Sequence, residues 1–113
     1  MKTILDLPQT ERTVLEELRG RISRAFPGWT FRMTLFGSRA RGNAEPDSDM
    51  DILLEVEQEH ISFAEKQRIR RAAGAVSLES GIVLSLLIVD QHMRKERGDF
   101  SVFQNIREEG IPV

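Results

Sequence analysis

The sequence predicts one domain of the α/β (α+β) class, and three observations carry that expectation. Apolar residues recur at spacings of three and four in some stretches and alternate strictly in others, in the order helix, strand, turn, strand, helix, strand. The length, 113 residues, suits one hydrophobic core and not two. A glycine-bearing turn, Gly37-Ser38-Arg39-Ala40-Arg41-Gly42, joins the first two strands and is followed by Ser48-Asp49-Met50-Asp51. No internal repeat, low-complexity tract or linker divides the chain, so residues 1–113 are expected to form a single domain.

Each element has its own warrant. Pro8 to Ala25 is expected as a helix, because Val14, Leu15, Leu18, Ile22 and Ala25 fall on one face and Pro27-Gly28 stops it. Trp29 to Phe36 alternates, with Trp29, Phe31, Met33 and Leu35 on one side and Thr30, Arg32 and Thr34 on the other: a half-buried strand. Arg39–Ala44 is a candidate short helix, and Pro46-Asp47-Ser48 is turn chemistry. Asp49 to Val56 is the second strand. Met50, Ile52, Leu54 and Val56 share its core face; Asp49, Asp51, Leu53 and Glu55 point away from that core layer. His60 to Ser80 reads as a long helix closed by Gly81. Lys66, Arg68, Arg70 and Arg71 make it basic, as a solvated face or as a contact surface for nucleic acid or an acidic partner. Ile82 to Val89 is apolar but for Ser85, which favours a buried strand. Asp90 is placed to cap a helix through about Arg97, Gly98-Asp99 breaks it, and Ser101 to Glu109 forms a last helix with Gly110 as its stop.

Composition narrows the function. A net charge of -2 argues against a domain whose main task is non-specific nucleic-acid binding. The absence of cysteine excludes disulfides, thiolate metal sites and a thiol nucleophile, and fits a cytoplasmic location. No apolar run is long enough to span a membrane, and the opening residues reach Asp6 too soon for a signal-peptide core. His60 and His92 have no paired ligand at metal spacing and are taken as surface residues.

The turn and the aspartates form one chemical unit. Asp49 and Asp51, two residues apart on a strand, are separated by about 6.6 Å and share a face. Carboxylates so placed suit a pair of divalent ions, and Mg²⁺ prefers such hard oxygen ligands together with substrate phosphates. Gly37 and Gly42 let backbone approach a phosphate. A helix starting near Ser38 would aim free N–H groups at an anion, with the Ser38 hydroxyl and Arg39 or Arg41 adding contacts. Three other motifs fail at named residues. A P-loop needs Lys and then Ser or Thr where Asn43 and Ala44 stand. A dinucleotide loop needs glycine at Arg39. A calcium loop starting at Asp47 needs glycine at Ile52 and glutamate at Gln58.

The run Leu35-Phe36-Gly37-Ser38-Arg39-Ala40-Arg41-Gly42, then Ser48-Asp49-Met50-Asp51-Ile52-Leu53, resembles the signature of the nucleotidyltransferase superfamily that includes DNA polymerase beta. The size and layout resemble its minimal nucleotidyltransferase (MNT) members. The resemblance implies a small mixed sheet flanked by helices, with the active site at its edge. It implies Asp49 and Asp51 as catalytic Mg²⁺ ligands. Gly37, Ser38, Arg39 and Arg41 would hold the phosphates of ATP or another nucleoside triphosphate. It further implies a small helical HEPN-type protein as partner, in a toxin–antitoxin pair in which AMP passes to a toxin hydroxyl.

One position departs from the pattern. Active family members carry a third acidic residue on the strand after the long helix. Ile82–Val89 has none, and Ser85 or Leu84 stands in its place. Asp90 and Glu55 are too far along their strands to substitute. Two functions follow: an enzyme that transfers AMP, or a catalytically weakened module that neutralises or assembles with its partner. A nucleic-acid polymerase is disfavoured, since the chain has no separate substrate domain and is slightly acidic.

Overall fold

The computed structural model describes residues 2–97 and 101–113. After a 3-10 turn at Ile4–Asp6 come α1 (Gln9–Ala25), β1 (Phe31–Phe36), α2 (Ser38–Arg41), β2 (Met50–Val56) and α3 (Phe63–Ser80). Then follow β3 (Leu84–Val89), α4 (Gln91–Arg97), α5 (Ser101–Glu109) and β4 (Ile111–Pro112). The expected break at Gly98-Asp99 lies outside the described residues.

The four strands form one mixed sheet in the order β3-β2-β1-β4. β1 and β2 are antiparallel, with Leu35 opposite Ile52 and Phe36 opposite Asp51. β2 and β3 are parallel, as a crossover through α3 requires, with Asp51 opposite Ser85 and Glu55 opposite Val89. The mixed, helix-flanked sheet is the architecture the sequence led us to expect.

One face of the sheet carries the main core. Met33, Leu35, Met50, Ile52, Leu54 and Val56 are all buried there. They pack against Leu15, Leu18 and Ile22 of α1 and Ile69, Ala73 and Val76 of α3. Pro8 sits just before α1, which ends at Phe26, stacked on Trp29 with ring centroids 4.0 Å apart. α3 starts three residues later than the periodicity implied. Ser62 and Glu65 form a capping box there, each side chain accepting the other's backbone N–H.

The opposite face is not left to solvent along its whole length. Leu53 is fully buried in a second cluster with Val89, Phe103 and Ile106, because α5 folds back over the distal half of the sheet. Gly110 makes that return possible. A side chain there would collide with the Ile106 and Leu35 carbonyls and the Thr34 methyl. The chain then adds β4 against β1, a strand of two residues that no periodicity could announce.

The expected buried strand at Ile82–Val89 is corrected. β3 begins at Leu84 and is an edge strand; Ile88 and Val89 are buried, whereas Ser85 is exposed and Val83 keeps 57% of its surface. Apolar composition alone could not distinguish an inner strand from an edge whose far half is covered by α5.

Candidate active site

The predicted site lies where β1 ends and β2 begins. Gly37 leaves β1 with φ 76°, a backbone conformation that disfavours side chains. A Cβ at Gly37 would run into the Asp51 carboxylate. The glycine is therefore fixed twice over, by its torsion and by the acid pressed against it. α2 is a single turn, with the Arg41 N–H donating to the Gly37 carbonyl at 3.2 Å and Gly42 closing it in the left-handed region. So short a turn has no macrodipole of consequence, and the expected contribution of a helix dipole shrinks to the local N–H donors of its start. Lys2 donates to the Ala40 carbonyl at 3.1 Å and adds a cation beside the turn.

Asp49 is exposed just ahead of β2, and Asp51 is half-buried at its start. Burial pushes the Asp51 carboxyl above its usual range, the charge of Asp49 pushes it further, and nearby Arg41 opposes the rise. The two carboxylates, one exposed and one half-buried, offer hard oxygen donors that fit a divalent cation such as Mg²⁺. The cation would relieve the repulsion that raises Asp51.

The two arginines part company. Arg39 turns inward and pairs with Glu11 of α1 at 2.8 Å, both side chains only 8% exposed. Its guanidinium also donates to the Ser48 carbonyl at 2.8 and 3.0 Å and to the Pro46 carbonyl at 3.2 Å. Arg39 thus spends its donors on the loop that delivers Asp49, a structural task that the motif did not reveal. Arg41 is exposed and remains on the solvent side of the turn.

The strand register separates Ser85 from Leu84 as the residue nearest Asp51. Leu84 pairs with Met50 and packs on the main core, whereas Ser85 lies directly opposite Asp51 on the neighbouring strand and on its face. No carboxylate replaces it among the described residues of β3. Glu55 is buried and paired with Arg107 at 3.0 Å. Asp90 is buried and accepts the Ile61 N–H at 3.0 Å and the Met93 N–H at 2.8 Å, the cap on α4 that its position predicted.

A cleft of about 370 Å³ flanks the turn, walled by Phe36, Gly37 and Arg41 on one side and by Val102, Asn105 and Glu109 of α5 on the other. Neither aspartate lines it. The α5 residues could not be found from spacing, because the sheet brings them to the turn from more than sixty positions away.

Comparison with known proteins places the chain in a family. The chain is 36% identical over 75 residues to a Methanocaldococcus jannaschii protein named "Putative protein adenylyltransferase MJ0141", covering 66% of this chain and 75% of that one. It is 23% identical over 100 residues to "Putative protein adenylyltransferase MJ0604" of the same organism, covering 88% and 94%. No solved structure gives a significant match. Residues 15–109, from the middle of α1 to the end of α5 and including the whole Gly37–Asp51 unit, match the nucleotidyltransferase domain family. The chain belongs to that family, and a nucleoside triphosphate is its class of substrate.

Proposed function

We propose that this protein transfers AMP from ATP to a hydroxyl group of a partner protein, with Mg²⁺ held by Asp49 and Asp51. The observation that carries the proposal is the Gly37 turn seated against the Asp51 carboxylate, which brings the phosphate-binding candidates and the acids to one place. The names of both relatives support adenylyl transfer to protein as the reaction.

In this reading the backbone of Gly37–Ser38 and the Ser38 hydroxyl hold the terminal phosphates, and Arg41 neutralises their charge. Bound Mg²⁺ would supply charge neutralisation on the phosphates and a fixed orientation for them. The acceptor oxygen forms a bond to the α-phosphorus, the bond to pyrophosphate breaks, and the acceptor proton passes to water. Arg39 acts at one remove, holding Ser48 and so the approach of Asp49. The acceptor belongs to a HEPN-type helical protein, as the resemblance to minimal nucleotidyltransferases implies.

Ser85 favours a second reading. A serine opposite Asp51 is a poor base at neutral pH, so the acceptor hydroxyl has no carboxylate from β3 to take its proton. The chain would then be a nucleotidyltransferase-fold module that neutralises its partner by binding.

The test uses purified protein, Mg²⁺, ATP labelled at the α-phosphate and the product of the neighbouring gene. Transfer predicts label on the partner, lost in Asp49→Asn, in Asp51→Asn and in EDTA. A stable complex with no label on either protein would refute the transfer reaction and leave the binding module.

A further inference from the structure

At the other end of the same two strands, Glu59, His60 and His92 come together. Each offers one ligand atom, and these atoms all lie within 4.8 Å of one another. Their assembly follows from the topology. β2 and β3 are parallel and in register to Glu55 opposite Val89, so the residues that follow each strand emerge side by side. Two backbone hydrogen bonds lock the emerging segments, Gln91 N–H to the Gln58 carbonyl and His92 N–H to the Glu59 carbonyl, each at 2.9 Å. Asp90 adds a third tie by accepting the Ile61 N–H. The two imidazoles lie with centroids 4.4 Å apart and planes inclined at 33°.

We propose that Glu59, His60 and His92 form a binding site for a late first-row divalent metal, with Zn²⁺ as its probe, separate from the nucleotide site. The donor set decides the class of ion. Imidazole nitrogens with one carboxylate suit Zn²⁺ and its neighbours, whereas Mg²⁺ takes oxygen. Around a tetrahedral ion with Zn–N of about 2.0–2.1 Å the ligand atoms stand about 3.4 Å apart, so no pair has to close by more than about 1.4 Å from the present limit of 4.8 Å. The backbone that carries the ligands is already tied, which removes most of the ordering that binding would otherwise require.

The surrounding charges fit this use. Glu96, one turn along α4, accepts from His92 Nε2 at 3.1 Å, a carboxylate–imidazole pair of the kind that orients metal-bound histidines. Lys95 holds both Glu59 oxygens at 3.0 Å and would be displaced to solvent, where it is already 66% exposed. The site stands about 20 Å from Asp51, the length of β2, so its ion takes no part at the phosphates. It would clamp the β2–α3 loop to α4.

The test needs untagged protein stripped with EDTA. The chain has only two histidines, so their imidazole ¹⁵N resonances report the site directly. Zn²⁺ titration of the wild-type protein should shift both rings at one equivalent and raise the melting temperature. Both effects should persist in 5 mM-scale excess Mg²⁺ (about a thousandfold over protein) and in the Asp49→Asn/Asp51→Asn protein. His60→Gln and His92→Gln should each weaken Zn²⁺ at least about tenfold. Unshifted imidazole resonances in the wild type, or Zn²⁺ affinity unchanged in both glutamine variants, would overturn the proposal.

Discussion

Replacing Ser85 by aspartate tests the site from its missing corner. Neighbouring strands lie about 4.8 Å apart, and Ser85 is in register with Asp51, so the new carboxylate would stand roughly 5 Å from the old one. At that distance two like charges repel by about 0.8 kcal/mol with water-like screening and by about 3 kcal/mol at an effective dielectric constant of 20. Ser85 is exposed and Asp51 half-buried, so the value falls between, at about 1–2 kcal/mol. For a domain of this size that lowers the melting temperature by about 5–10 °C in EDTA. Mg²⁺ should reverse most of the loss, since three acids bind it better than two. Ser85→Asn has the same shape without the charge and should melt near the wild type in both buffers. If the protein transfers AMP, the new base should also speed transfer by about 10²–10⁴-fold. The experiment is differential scanning fluorimetry of all three proteins with and without Mg²⁺. An unchanged melting temperature for Ser85→Asp in EDTA, with nothing for Mg²⁺ to restore, would refute the placement of residue 85 beside Asp51.

Four further outcomes follow from the same contacts. Gly37→Ala should cost about 1–3 kcal/mol through its positive φ and, by displacing Asp51, should abolish Mg²⁺-induced stabilisation, both visible in urea denaturation. Arg39→Met should cost about 3–5 kcal/mol, because it strands Glu11 in the interior, and Glu11→Gln in the same chain should recover part of that in a double-mutant cycle. Asp51→Asn should stabilise the metal-free protein at neutral pH. The Asp51 pKa is raised on folding, so its favourable contribution is full below the unfolded value and fades as pH rises through the folded one; the advantage of the variant over the wild type should therefore appear only as pH rises out of the acid range. Asp90→Ala should cost about 1–3 kcal/mol by removing the α4 cap and the tie to Ile61. Burial pushes the Asp90 carboxyl up, but the Met93 and Ile61 N–H groups, with Lys66 and His60, outweigh it and hold the pKa low, so this contribution should shrink as pH falls through the folded pKa.

What the chain disclosed in advance was local. The Leu35–Leu53 run carried strand, turn and strand in one stretch, and the alternation of Met50, Ile52, Leu54 and Val56 placed Asp51 on the far face without any coordinates. Ser85 too was legible, as the one polar residue in an apolar strand, although only the register separated it from Leu84. The inward turn of Arg39 was not legible, because a motif records which residues stand near a turn and not which way each side chain leaves it. Its partner, Glu11, is 28 positions away and carries no signal of its own. β4 is too short for any period, and the α5 wall of the cleft depends on a return past Gly110 that only packing reveals. His60 and His92 read as surface residues on spacing, which measures distance along the chain; the parallel pairing of β2 with β3 cancels the 31 residues between them.

That pairing governs both ends of the sheet. Where β2 and β3 begin, it sets Ser85 against Asp51. Where they end, it sets two imidazoles and a carboxylate against each other. A one-residue slip of β3 would undo both arrangements at once, turning Ser85 to the core face and drawing His92 away from Glu59. The register is protected from such a slip by features at its two ends: the Met50 N–H donating to the Val83 carbonyl at 2.8 Å before the strands, and Asp90 gripping Ile61 after them. Asp90, a ligand at neither end, thus stands where the register that both ends depend on is tied. Its removal should loosen Zn²⁺ at one end and Mg²⁺ at the other, whereas a change confined to either ligand set should leave the opposite end as it was.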